Sequence, residues 1–126
     1  MLQVNLHGPL LMTQAVLPAM LRRRSGAIVN VSSLLGKSGA AQYVPYCASK
    51  FGIIGFTEAL AHELSATGIS VWAVCPGLVN TAMGKETGLA ASTLRGALKP
   101  DAVARVIVKL ATGGGRVASG AAVDGV

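Results

Sequence analysis

The sequence is poor in aromatic residues (4%), in charge (13%) and in cysteine (two residues), and each scarcity excludes something. So little charge beside 52% hydrophobic residues excludes a disordered chain, and a mean hydropathy of +0.56 suggests elements buried on more than one face. No apolar run reaches the roughly 18 residues that span a bilayer, because Gln14, Arg22 and Lys50 interrupt the candidates. Met1 leads straight into an amphipathic pattern without a basic n-region or cleavage site, so no signal peptide is read and a cytoplasmic location is expected. Cys47 and Cys75 lie in apolar, loop-poor surroundings that favour two buried thiols over a disulfide. Two Cys and two His at unhelpful spacings predict no metal site, and His7 and His62 are expected in surface or core roles. No Gly-x-Ser-x-Gly elbow exists, which argues against a serine hydrolase, and no internal repeat is found.

What is present begins with a net charge of +6, whose only cluster is Arg22, Arg23 and Arg24. These cations fall at the end of a helical pattern, where they complement the helix dipole and can donate to the last carbonyls. No aromatic side chains stand nearby to stack on bases, so neither a nucleic-acid partner nor a membrane partner is expected.

Apolar residues at helical spacing from Leu2 to Leu21 predict a helix ending at the arginines, with Pro18 bending it late or marking its last turn. Gly26 should supply a turn into a buried strand, Ala27 to Val31, which runs into Ser32 and Ser33. Asn30 is expected to fix backbone near the strand end. A Gly-rich loop precedes a long helix from Tyr43 to Ser65, with Pro45 in its first turn and Gly68 as its C′ residue. Gly52 and Gly55 mark expected sites of close helix approach. Ile69 to Cys75 reads as a second buried strand stopped by Pro76-Gly77, and Trp72 within it as a packing residue. The stretch from Thr81 to Leu98 predicts a loop carrying a short helix, with Ala82 to Leu98 as a lid. Pro100 opens a third helix with Asp101 in its first turn, Gly113-Gly114-Gly115 forms a connector, and Ala118 to Val123 is the last strand. Apolar strands joined by helical crossovers predict an α/β fold with a doubly wound parallel sheet. In such sheets ligands lie beyond the carboxyl ends of the strands, where Ser32-Ser33 and Pro76-Gly77 fall.

Tyr46, Ser49 and Lys50 lie one helical turn apart and can project from one face. A phenol is a poor acid or base near neutrality, but an adjacent ammonium favours the phenolate. Ser33 ends a strand shortly before this helix, and a hydroxyl there can orient a carbonyl toward the phenol.

Together Asn5, Ser33, Tyr46 and Lys50 resemble the catalytic tetrad of the classical short-chain dehydrogenase/reductases. The strings around them are similar too: Val4-Asn5-Leu6, Gly26 to Ser33 followed by Gly36, Tyr46-Cys47-Ala48-Ser49-Lys50, and Val74-Cys75-Pro76-Gly77-Leu78-Val79-Asn80-Thr81. The resemblance implies an NAD(P)-dependent oxidoreductase passing a hydride between nicotinamide and a small-molecule secondary alcohol or ketone. Tyr46 would be the acid/base, Lys50 would activate it and hydrogen-bond the nicotinamide ribose, Ser33 would hold the substrate oxygen, and Asn5 would position a water behind Lys50. Ser33 is preferred over its neighbour Ser32 because it adjoins the Leu34-Leu35-Gly36 turn. Asn5, Tyr46, Lys50, Pro76, Gly77, Val79 and Thr81 would contact the cofactor, with the Val79 backbone at the carboxamide and Thr81 near the phosphates. Tyr43 is expected to pack or to line the cleft.

The Gly-rich strand-to-helix turn that cradles the pyrophosphate in the family is not among these residues, nor is the side chain that selects NAD or NADP, so either cofactor is implied. The resemblance therefore points to a partial Rossmann-like domain over residues 1–126, the C-terminal catalytic half of a homo-oligomeric parent. Met1 falls inside what the family makes a continuous helix, which suggests a fragment or internal initiation. This chain alone is expected to be inactive. The alternative is a non-catalytic fragment that acts as an interaction module.

Overall fold

The computed structural model describes residues 1–81, 96–113 and 116–125. It opens with a π-helical turn, Gln3–His7, that continues into helix α1, Gly8–Arg23. Pro9 sits in the first turn of α1, where its missing N–H costs nothing. Pro18 lies inside the helix, which runs on to Arg23. Arg24 then turns left-handed (φ 54°) and its N–H satisfies carbonyls of the last turn. Arg24, not Gly26, therefore makes the turn, and Gly26 is the first residue of strand β1 (Gly26–Val31).

A single turn of 3-10 helix, Leu34–Gly36, leads to helix α2, Val44–Glu63. Strand β2, Ile69–Cys75, helix α3, Pro100–Ala111, and strand β3, Ala122–Asp124, follow. The three strands form one parallel sheet in the order β1-β2-β3. Gly26 pairs with Ile69 and Val31 with Val74, while Ala73 pairs with Ala122 and Cys75 with Asp124.

Alternate residues of β2 enter opposite cores, as a strand's period of two requires. Ile69 and Val71 pack with Leu60 and Leu64 of α2, beside Leu17 and Met20 of α1. Trp72 and Val74 pack on the other face with Val103 and Leu110 of α3. Helices on both faces leave no polar side for the middle strand, and that is why β2 reads as a continuous apolar run. Trp72 is part of this packing, and its indole N–H donates to the Val117 carbonyl at 3.1 Å. The chain is thus the doubly wound α/β arrangement expected from its sequence.

Several local expectations need correction. Helix α2 ends at Glu63, and its exit contains a left-handed Ala66 (φ 62°). Gly68 (φ 82°) comes later, at the entry to β2, where a Cβ would collide with the Arg24 carbonyl. The last strand begins at Ala122 rather than Ala118. Residues 119 and 120 form a turn instead, in which Gly120 (φ 95°) donates its N–H to Val71 O at 2.7 Å. Gly52 does meet a close neighbour, with Leu6 methyls 3.0 Å from where its Cβ would stand, but Gly55 faces open space. Asn30 bonds sideways into α2, its amide donating to Thr57 Oγ1 at 3.0 Å, and does not brace backbone. The lid and short helix expected within residues 82–95, and Gly114 and Gly115 of the connector, lie outside the described residues.

Candidate active site

Ladder pairing between β1 and β2 continues past the end of β1, with Ser32 N–H donating to Val74 O at 2.7 Å and Leu34 N–H to Pro76 O at 3.0 Å. The two serines are thereby fixed at the carboxyl ends of the strands. Ser33 is extended (φ −163°, ψ 161°), and its hydroxyl accepts the Leu35 N–H at 3.1 Å, capping the short turn that follows. Both serines are buried.

Helix α2 supplies the other groups. Tyr43 stands at its N-cap and Pro45 in its first turn, so Tyr46 emerges one turn in, with Ser49 and Lys50 a turn further on. Tyr46 and Lys50 are half-buried, while Ser49 is fully buried. The Lys50 ammonium lies over the Tyr46 ring, 5.7 Å from its centroid, and donates to the Val31 carbonyl at 3.0 Å. Burial pulls the Lys50 pKa below the usual lysine range.

The first helical segment closes the group from a third side. Asn5 lies in the π turn, and its amide donates to Ser49 Oγ at 3.3 Å. Ser49 Oγ in turn donates to the Tyr46 carbonyl at 2.7 Å. A π turn widens a helix locally and is frequent at functional sites, but no periodicity in residues 3–7 announces it.

Ser32, set aside as a candidate on sequence grounds, is the strand's tie to this helix: its hydroxyl donates to the Lys50 carbonyl at 2.8 Å. Gly36 is required beside it. A Cβ there would strike Ser32 Oγ and stand 2.8 Å from the Lys50 carbonyl and 2.9 Å from Ile54 Cδ1.

Beyond β2, Pro76 is buried and Gly77, Val79 and Thr81 are half-buried. Leu98 returns to this exit: Val79 and Leu98 form a parallel bridge, with Asn80 N–H donating to Leu98 O at 2.8 Å and Leu98 N–H to Leu78 O at 2.9 Å. Thr81 N–H donates to Val79 O at 2.9 Å. Leu34 Cδ1 lies 3.2 Å from where a Cβ on Gly77 would stand, so the turn after Ser33 and the Pro-Gly exit meet.

Sequence reasoning also missed Lys37, whose ammonium reaches Asp124 Oδ1 at 2.7 Å and the Ala122 carbonyl at 3.1 Å. The hydrogen bond to Asp124 raises the Lys37 pKa. Nothing local signals this contact, because its partners lie on β3. Cys75 is fully buried, and burial raises its thiol pKa, opposed by the charge of Lys37.

The structure therefore joins Asn5, Tyr46 and Lys50 in one set of contacts. It places Ser33 directly after the Ser32 that holds Lys50, and brings Pro76 and Gly77 against the Ser33 turn. A phenol beside an ammonium, with hydroxyls and open backbone at a strand end, is equipped for proton transfer to an oxygen atom.

The family model described as short chain dehydrogenase matches residues 1–91. The ketoacyl reductase HetN of Nostoc is 43% identical over 106 residues, covering 83% of this chain and 37% of the relative. The 3-oxoacyl-(acyl-carrier-protein) reductase FabG of Thermotoga maritima is 42% identical over 118 residues, covering 88% of this chain and 48% of the relative. Among solved structures, ElxO with NADP bound superimposes with a TM-score of 0.86 at 26% identity, covering 95% of this chain and 52% of that one. The chain thus spans about half, or less, of the length of the proteins it matches.

Proposed function

This chain belongs to the short-chain dehydrogenase family, and from that premise we propose that the protein carrying it is an NAD(P)-dependent oxidoreductase acting on a secondary alcohol or ketone. The observation that carries the reading is the Lys50 ammonium held over the Tyr46 ring at the carboxyl ends of the strands, with Asn5 bonded to the same helical turn through Ser49.

The residues present fit the nicotinamide end of such a cofactor. The Lys50 ammonium makes one hydrogen bond among the described residues, to the Val31 carbonyl, and has further N–H donors for a ribose diol. Pro76, Gly77, Val79 and Thr81 line the strand exit beside it. When bound, the nicotinamide supplies or accepts the hydride at the substrate carbon. NADP bound in the solved relative supports a nicotinamide dinucleotide as the cofactor here.

Tyr46 donates its phenolic proton to the carbonyl oxygen as that oxygen gains the electron pair of the C=O bond, or accepts the hydroxyl proton in the oxidative direction. Ser33 holds the same oxygen by a hydrogen bond and so aims the carbon. Lys50 steadies the negative charge that develops on Tyr46 after proton loss. Asn5 and Ser49 hold the turn that carries Tyr46.

The test is NADPH or NADH consumption by the protein carrying this sequence, offered simple ketones. Cofactor oxidation that depends on the ketone is expected. No oxidation with either cofactor and a panel of ketones, together with no alcohol oxidation, would leave the non-catalytic interaction module as the better reading.

A further inference from the structure

Tyr43 is held firmly at the start of α2, since its N–H donates to Ala40 O at 3.3 Å and its carbonyl accepts the Cys47 N–H at 2.7 Å. Its ring meets the Tyr46 ring edge to face, with centroids 6.5 Å apart and planes at 69°. That geometry is a favoured one for aromatic pairs. One part of the Tyr43 ring is thus spent on Tyr46, yet 39% of the residue remains exposed.

Leu34 is a second exposed apolar side chain at the strand end. It follows Ser33, approaches Gly77, and is 45% exposed. Both apolar side chains adjoin a residue assigned to hold the reacting oxygen, Leu34 next to Ser33 and Tyr43 in ring contact with Tyr46. An oxygen shared between the Ser33 hydroxyl and the Tyr46 phenol brings the substituents of its carbon against these two side chains. Neither offers a charge, and one offers a flat ring.

We propose that Tyr43, with Leu34 next to Ser33, is a specificity-determining wall that makes this site prefer ketones and alcohols whose reacting carbon carries an aryl or conjugated group. The inference rests on the proposed oxidoreductase reading and names the substrate class within it. A ring stacked on Tyr43 gains edge or offset contact that a saturated chain of equal size does not, a preference of roughly two- to twelvefold.

The experiment compares acetophenone, whose reacting carbon carries the ring, with 2-octanone, a saturated ketone of the same carbon number, in the protein carrying this sequence, as the ratio of their kcat/KM values. Tyr43→Phe keeps the ring and should keep the aryl preference. Tyr43→Leu keeps apolar bulk without the ring, and Tyr43→Ala removes both; each should lower the preference about two- to twelvefold, chiefly through KM for the aryl ketone. An unchanged ratio in both, or equal losses on both ketones, would overturn the wall. Binding is read separately with ring-labelled tyrosine in the presence of NADPH, the resonance lost in the Tyr43→Phe spectrum being that of Tyr43. The aryl ketone should shift the Tyr43 ring resonance more than 2-octanone does. A shift without turnover supports the wall and contradicts the oxidoreductase reading; turnover without a Tyr43 shift does the reverse.

Discussion

Ser32 donates its hydroxyl to the main-chain carbonyl of Lys50 at 2.8 Å, while the Lys50 ammonium reaches back to the Val31 carbonyl at 3.0 Å. Two consecutive residues at the end of one strand thereby grip one lysine at its backbone and at its tip. The strand end and the helix are set relative to each other at the position where the proposed chemistry needs them.

Ser32→Ala removes the side-chain hydrogen bond to the Lys50 carbonyl and leaves a small void below Gly36. The carbonyl keeps its place in the backbone ladder of α2, so the loss is that of one hydrogen bond, about 0.5–1.5 kcal/mol. Chemical denaturation should show a loss of that size, and Ser32→Thr should recover part of it if the extra methyl is accommodated. An Ala variant as stable as the parent would show that the bond contributes nothing.

The Lys50 pKa is lowered by burial, so the folded chain binds fewer protons at this group than the unfolded chain over the interval from its lowered value up to about 10.4. Stability from this group therefore rises with pH across that interval, and at neutral pH the buried charge is a cost. Comparison with Lys50→Met isolates it: the variant's stability relative to the parent should decline as pH rises toward 10. A constant difference between pH 7 and pH 10 would contradict the lowered value.

Gly68→Ala should destabilise the chain, because it combines a left-handed backbone (φ 82°) with a collision against the Arg24 carbonyl. Gly113→Ala is the control, with φ 74° and open space around its Cβ. Left-handed strain alone costs about 1–3 kcal/mol, so both should lose stability and Gly68→Ala the more. Equal melting temperatures for the two variants would sink the collision.

How far these features were legible in the sequence follows from the range of each contact. Strands β1 and β2 and helices α2 and α3 are readable because each strand is a short, mostly apolar and β-branched run and each helix carries proline in its first turn. The neighbours Tyr46, Ser49 and Lys50 are readable because helical spacing alone places them on one face. The sequence suggests a start for β3 four residues early, since Ala118 to Ala122 holds mostly small residues with little periodicity and the turn at Gly120 depends on its bond to Val71. The Lys37–Asp124 pair and the Ser32–Lys50 tie join residues distant along the chain. Periodicity carries no information about such partners, and the π turn at Asn5 is equally silent.

Strand β1 is an outer strand of the described sheet, paired on one side with β2. An apolar parallel edge of this kind recruits other chains. The 12.7 kDa chain alone should sediment as concentration-dependent assemblies, and it should bind NADPH weakly, since no Gly-rich pyrophosphate turn is among its residues. A monomer that binds NADPH with micromolar affinity would refute both expectations.

That Tyr46 carries the transferred proton is tested most directly by Tyr46→Phe in the protein carrying this sequence, with ketone-dependent NADPH oxidation and NADPH affinity measured side by side. Loss of the phenolic hydroxyl should lower kcat about a hundred- to ten-thousandfold while cofactor affinity stays nearly unchanged, because the ring and the Lys50 ammonium over it remain. Turnover retained at the parent's rate in Tyr46→Phe would contradict the assignment.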